Sequence, residues 1–323
     1  AQTVDLMKAT SLPFKLLGKH GGANKIKKVF STIARTIDLV RFAKGKQILL
    51  AINHGSRSQT LACKLLGIPC FVGMDYEHTE STIFSKFASY IWMPELLYPK
   101  ALPIIGIPKE RALVYKGIKE QFYLENFVPD PSFKKDHSIP EDKILVILRP
   151  PAEMANYHHP KSESLLNKMI EKIKQNDNTY TLCFPRTKDQ GRKLSSHASN
   201  NFVVCDKVLD GKNVAFYADV MISGCGTMNR EAAYFGAAVF SIFSGPKPMI
   251  DSSLATMGLL TFIESDDKIE AIEFRGKSRT ATKLSSQPDT VINQLIDQFI
   301  TLTSRHHERR IRRPEAELLI DQE

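Results

Sequence analysis

Three short runs in the second half of the chain hold side chains suited to gripping an anion. Arg149-Pro150-Pro151-Ala152-Glu153 and Pro185-Arg186-Thr187 each follow an apolar run. Ser223-Gly224-Cys225-Gly226-Thr227 stands between the apolar residues 220–222 and a helical pattern that begins near Met228. A glycine loop that opens a helix presents free N–H groups and the positive end of a helix dipole at one point, which suits a phosphate. Arg149 and Arg186 add guanidinium forks that match phosphate oxygens. Glu231, one turn into the helix, is placed to accept hydrogen bonds from ribose hydroxyls. Plainer roles stand beside these: either arginine as a surface ion-pair member, and Glu231 as a charge that compensates the helix dipole.

The first half offers a second set. His54-Gly55-Ser56-Arg57-Ser58 also follows a strand pattern and opens a helix, so Ser56 and Arg57 form another candidate anion site. His54 suits a proton-accepting role and, equally, a backbone bond that caps the sheet. Asp75, Glu77 and His78 end the next strand and are candidates for acid–base work on a sugar hydroxyl, although such a pairing on a loop is more often structural. Lys19 and His20, in the basic loop 18–22, complete the acceptor or anion side. No His, Asp, Glu or Cys cluster has metal-ligand spacing, so no metal site is expected. Ser56 lacks the G-x-S-x-G elbow of an esterase nucleophile. The pair His158-His159 lies on a polar loop, outside the expected site.

Alternating strands and helices must position these groups. Residues 1–9 read as a helix and 12–17 as a short strand. Residues 23–43 form a long amphipathic helix, with Ile26, Val29, Phe30, Ile33, Ile37 and Val40 at helical spacing. Strands follow at 48–52 (buried), 70–74, 90–93 and 102–105. Residues 115–131 read as irregular and proline-closed. A second series has strands at 143–148, 180–184, 202–205, 220–223 and 238–243, helices at 162–174, 213–217, 228–235 and 249–257, and a closing helix at 287–303. This alternation predicts an α/β protein with two doubly wound domains facing a cleft, residues 1–128 and 129–323. The closing helix is expected to return to the first domain.

The composition is that of an ordinary globular protein, with 42% hydrophobic and 24% charged residues, and no run is long enough to span a membrane. Five cysteines without a C-x-x-C pair read as reduced residues of a cytoplasmic protein. The net charge of +9 resides in residues 1–128, which hold 18 Lys and Arg against 9 Asp and Glu. Such a half faces nucleic acid, an anionic membrane surface or an anionic substrate. With no nucleic-acid motif and no basic–aromatic alternation, nucleic acid ranks last.

H-G-S-R-S-Q at 54–59, M-D-Y-E-H at 74–78, R-P-P-A-E-M-A at 149–155, F-P-R-T at 184–187 and G-C-G-T-M-N-R-E-A-A at 224–233 together resemble the prokaryotic family of domain of unknown function 354. That family is similar to the GT-B superfamily, which includes nucleotide-sugar glycosyltransferases and the UDP-N-acetylglucosamine 2-epimerases. Against the transferase pattern S-G-x-x-T-x-x-E-x-x-x-x-G the chain offers Ser223, Gly224, Thr227, Glu231 and Gly236, with one extra residue before Glu231. The resemblance implies phosphate contacts from Gly224 to Thr227, Gly226 included, and ribose contacts from Glu231. Epimerases carry H-G-D where this chain has His54-Gly55-Ser56, a glutamate where Asp75 is the nearest counterpart, and a histidine where Arg186 stands. The resemblance also implies a first strand ahead of residue 1.

The expectation is therefore a metal-independent GT-B-type glycosyltransferase using a nucleotide-diphosphate sugar, UDP-linked, with no cofactor. His54, Asp75 or Glu77 would deprotonate the acceptor, which is anionic or lipid-linked at the inner membrane face. The alternatives are a nucleotide-sugar 2-epimerase and a non-catalytic nucleotide-sugar-binding protein.

Overall fold

A computed structural model of the chain describes residues 4, 7–8, 12–18, 25–151, 161–224, 226–277 and 288–317. Lys19, His20, Glu153, His158 and His159 lie outside the described residues. The chain divides into two compact units, one comprising Ala1–Pro13 and Lys119–Ser286, the other Phe14–Ile118 and Gln287–Glu323.

The second of these holds a four-stranded parallel sheet in the order β1-β2-β3-β4, formed by Ala51–Asn53, Cys70–Gly73, Tyr90–Pro94 and Ala112–Tyr115. Helices α1 (Lys25–Ala43), α2 (Arg57–Leu66), α3 (Thr82–Phe87) and α4 (Leu102–Ile105) accompany it. Strand β2 is buried along its whole length, as expected for a strand covered on both faces. At its end Gly73 is obligatory: a Cβ there would sit 2.5 Å from the Trp92 ring.

Several expectations fail in this unit. Residues 12–17 form no strand. Residues 102–105 form a helical turn, because Pro103 sits in its first turn and Gly106, at φ 77°, closes it. The strand at 112–115 was concealed by its four-residue length behind the turn Lys109–Arg111. Strand β1 occupies a sheet edge, so the expected burial of 48–52 gives way to exposed Leu49 and Ile52. Helix α1 has the predicted amphipathic spacing, yet Val29, Phe30, Ile33 and Ile37 are exposed.

The other unit holds a six-stranded parallel sheet in the order β10-β9-β8-β5-β6-β7. Its strands are β5 (Ile144–Arg149), β6 (Thr179–Cys183), β7 (Phe202–Val204), β8 (Val220–Ser223), β9 (Ala238–Ser241) and β10 (Thr261–Phe262). Helices α5 (Gln121–Leu124), α6 (Phe133–Asp136), α7 (Lys161–Lys174), α8 (Lys188–Leu194), α9 (Gly211–Tyr217), α10 (Thr227–Tyr234), α11 (Met249–Thr256) and α12 (Asp266–Glu270) connect and cover it. Val146 and Leu148 of β5, Ile222 of β8 and the inner face of α7 (Leu165, Leu166, Met169, Ile170, Ile173) form the core. The strand order reverses between β5 and β8, and such a switch point is where doubly wound sheets take ligands, beyond the carboxyl ends of the strands.

The last helix, α13 (Pro288–Glu317), belongs to the unit of the four-stranded sheet. Phe299 packs on Phe71 with ring centroids 4.7 Å apart. The helix runs past residue 303, where its end was expected, because the basic run 305–313 continues the helix rather than leaving it.

Candidate functional site

Register brings the candidate anion-binding residues of the six-stranded sheet level with one another. Arg149, the last residue of β5, pairs with Ser223, the last of β8, while Leu148 pairs with Cys183 at the end of β6. Past these ends the backbone is strapped by the arginines themselves. Arg149 Nη1 donates to the carbonyls of Phe184 (2.8 Å) and Pro185 (3.2 Å), and Arg186 Nε donates to that of Pro150 (2.9 Å). Gln190 pins the same turn, accepting from the Arg186 N–H at 2.8 Å and donating to the Pro151 carbonyl at 3.0 Å. Burial, reinforced by the like charge of Arg186, lowers the Arg149 pKa to about 10. An anion settling beside both would relieve that repulsion.

The loop after β8 is shaped by its glycines. A Cβ on Gly224 would meet the Pro151 Cα at 3.0 Å, so glycine lets the two turns approach backbone to backbone. Gly226 has φ 106°, a conformation that L side chains rarely adopt, and it stands at the N-cap of α10 with no side chain to offer the helix. Helix α10 therefore begins with no side-chain cap and no acidic residue in its first turn. Ser223 is fully buried and donates to Asn229 Oδ1 at 2.7 Å, holding the loop closed on the helix.

Glu231 lies one turn along α10, 7% exposed. Tyr123 donates its hydroxyl to Glu231 Oε1 at 2.7 Å. Loss of hydration raises the Glu231 pKa to about 7; the Tyr123 bond and Lys119 oppose the rise, and the charges of Glu120 and Asp210 add to it. A carboxylate so poised accepts hydroxyl donors when ionised.

The segment 119–125 was read as irregular and contributed no candidate, yet it supplies much of the surroundings of α10. Lys119 Nζ donates to Thr227 Oγ1 (3.2 Å) and to Glu120 Oε1 (2.7 Å). Arg230 Nη1 stands 3.7 Å from Glu120 Oε1, and its Nε donates to Asp251 Oδ1 at 2.8 Å. Within 119–131 no hydrophobic period marks these residues, and a charged pair such as Lys119-Glu120 is common on any surface.

In the unit of the four-stranded sheet, His54 Nε2 lies 3.3 Å from Asp75 Oδ1, with His54 half exposed. Glu77 is buried, its Oε1 3.5 Å from His78 Nε2. Ser56 and Arg57 are engaged locally. Ser56 caps α2, its side chain accepting from the Gln59 N–H, while Arg57 Nε lies 3.1 Å from Glu80 Oε2. A separate cavity of about 500 Å³, lined by Asp219, Gly236, Thr261 and Arg275, opens at the other end of the six-stranded sheet and shares no residue with the arginine and glycine site. Among the described residues, no group of three or more His, Cys, Asp or Glu is placed to hold a metal ion.

A family model described as "Protein of unknown function (DUF354)" matches residues 2–297. Among curated proteins none matches the sequence. Among solved structures, the UDP-GlcNAc 2-epimerase of Methanocaldococcus jannaschii in complex with UDP-GlcNAc and UDP is similar with a TM-score of 0.64 at 11% identity, over 85% of this chain and 81% of that one. The S. aureus MnaA–UDP co-structure is similar at 0.58 and 11% identity, over 76% and 71% of the two chains. The Neisseria meningitidis UDP-GlcNAc 2-epimerase bound to UDP-GlcNAc is similar at 0.57 and 12% identity, over 74% and 72%. At these identities the likeness is one of fold, and the fold is of GT-B type with two Rossmann-like sheets.

Proposed function

The chain belongs to the DUF354 family, and from its site we propose that it is a GT-B-type glycosyltransferase that uses a nucleotide-diphosphate sugar, with no resident metal or cofactor. One observation carries the reading: two mutually repelling arginines and a helix start capped only by glycine meet at the switch point of a parallel sheet. UDP-GlcNAc and UDP, bound by the structurally similar epimerase of M. jannaschii, and UDP, bound by S. aureus MnaA, favour uridine as the base.

In this reading Arg149, Arg186 and the N–H groups of Gly224, Gly226 and Thr227 hold the diphosphate, and ionised Glu231 accepts hydrogen bonds from the ribose. The acceptor oxygen attacks the anomeric carbon, the bond from that carbon to the phosphate oxygen breaks, and the diphosphate departs with the electron pair. Fixed donors stabilise the charge that grows on it. His54 takes the acceptor proton, and Asp75 at 3.3 Å orients the imidazole and stabilises its charged form. The positive balance of residues 1–128 suits an anionic acceptor, such as a lipid-linked diphosphate at a membrane surface. Among the described residues no helix is long and apolar enough to cross a membrane.

Incubation with labelled UDP-sugars tests the reading. Release of UDP only when an acceptor is added is the expected result. Sugar isomerisation without an acceptor would instead establish an epimerase, and saturable binding with neither reaction a binding protein; either overturns the transferase. Unchanged nucleotide affinity in both Glu231→Ala and Arg186→Ala, measured by calorimetry, would remove the site assignment.

A further inference from the structure

Residues 119–125 lie along one face of α10 and touch it at successive turns. Lys119 reaches Thr227, Tyr123 reaches Glu231, and Tyr234 donates to Glu125 Oε2 at 2.6 Å. Thr227, Glu231 and Tyr234 are spaced i, i+4 and i+7, one face of a helix. The side chain meeting the first turn is thus a cation, and a cation opposes the positive end of the helix dipole.

Lys119 is held in that position at a cost. Its ammonium donates to Glu120, whose carboxylate is fully buried. Glu120 in turn lies 3.7 Å from the guanidinium of Arg230, which Asp251 anchors, and these side chains are also buried. Burying three charged groups in sequence behind a partly buried lysine is expensive, and nothing in helix stability is gained by pressing an ammonium against an N-terminus. The arrangement becomes favourable once an anion lies between the helix start and the lysine. A second donor waits in the same turn. Asn229 is fully buried; its Oδ1 accepts from Ser223, while its Nδ2 has no partner among the described residues.

We propose that Lys119 binds the diphosphate directly, completing the cradle formed by Arg149, Arg186 and the glycine loop, with buried Glu120 as the residue that positions it. The ligand class is a nucleoside diphosphate or its sugar conjugate, so the assignment rests on the function proposed above and adds to it a residue from outside the sheet.

The test is calorimetric titration of Lys119→Gln, Lys119→Arg and the unsubstituted protein with UDP, uridine and inorganic pyrophosphate. Glutamine keeps a polar contact to Thr227 and removes the charge. Affinity of Lys119→Gln for UDP and pyrophosphate is expected to fall roughly 10- to 100-fold, uridine affinity to stay unchanged, and arginine to recover most of the loss. Equal UDP affinity in Lys119→Gln and the unsubstituted protein overturns the inference and leaves the proposed function standing. Equal weakening of UDP and uridine assigns Lys119 a purely structural part and also overturns it. Should the unsubstituted protein bind no UDP, the proposed function itself fails. Circular dichroism establishes that each variant is folded, and Lys119→Met, which also removes the charge, provides the phosphate-selective readout if Lys119→Gln is not.

Discussion

Two corners of this protein have the same plan and opposite chemistry. In each, a parallel strand ends, a small-residue loop turns, and a helix begins: Asn53 to Arg57 before α2, and Ser223 to Thr227 before α10. At the first corner a side chain already caps the helix. The Ser56 N–H donates to Asn53 Oδ1 at 2.8 Å, the Ser56 side chain accepts from the Gln59 N–H, and Arg57 is drawn to Glu80. At the second, the cap is Gly226, which has no side chain, and the nearest strand-end arginines repel each other. A helix N-terminus becomes an anion site when the chain declines to cap it. The two corners differ in that single respect more than in any motif.

The largest measurable consequence falls on Glu231, which the second corner buries against the Tyr123 hydroxyl. Its pKa, raised from 4.5 to about 7, means that the protonated acid is favoured by the fold. The sign follows: stability from this group is fully present below about pH 4.5 and is lost as pH rises through about 7. The loss amounts to about 3 kcal/mol. Glu231→Gln is expected to remove that slope, so that the variant is the more stable protein at pH 8 in urea unfolding and the two converge near pH 4.5. UDP affinity should run the other way, weakening below pH 7 in the unsubstituted protein as the acceptor for ribose hydroxyls is protonated. Stability and affinity that rise and fall together with pH would break the comparison, since the carboxyl would then be a structural acid.

Arginine substitution tests the corners against each other. Arg186→Met is expected to cost about 2 kcal/mol of UDP binding, roughly 30-fold, through loss of charge-assisted hydrogen bonds. Arg57→Met, which loses only a partly exposed pair with Glu80, should leave UDP affinity within about twofold. Calorimetry on the two variants decides it, and equal losses would mean that both corners bind anions.

Much of the second corner was legible in the residues. Strands β5, β6 and β8 are short and buried over most of their length, so Arg149, Arg186 and Ser223 were visible as the polar residues at or just past their ends. At the first corner H-G-S-R-S shows a glycine and an arginine but not what they touch; Glu80 and Asn53 become partners only in the fold. Residues 102–105 have the composition of a strand, and only Pro103 and Gly106 betray the helical turn. The contacts of Lys119 and Tyr123 with α10 span 108 residues of chain, a distance at which no local periodicity carries information. The exposed stripe of α1 was likewise beyond reach, since spacing identifies an apolar face without identifying what covers it.

The smallest effect tests the capped corner directly. Ser56 supplies an ordinary N-cap, with extended backbone at φ −87° and ψ 99° and its side-chain oxygen bonded to the Gln59 N–H. Ser56→Ala removes one acceptor and should destabilise the protein by about 1 kcal/mol, while Ser56→Asp keeps the cap and places a negative charge where the helix dipole favours it. Thermal unfolding should therefore rank Asp at or above Ser, and Ser above Ala, with UDP affinity the same in all three. That order is the signature of a helix end satisfied from within. Were Ser56→Asp to weaken UDP binding as strongly as Arg186→Met, a phosphate would have to lie against Ser56, and the anion site would belong to the first corner instead of the second.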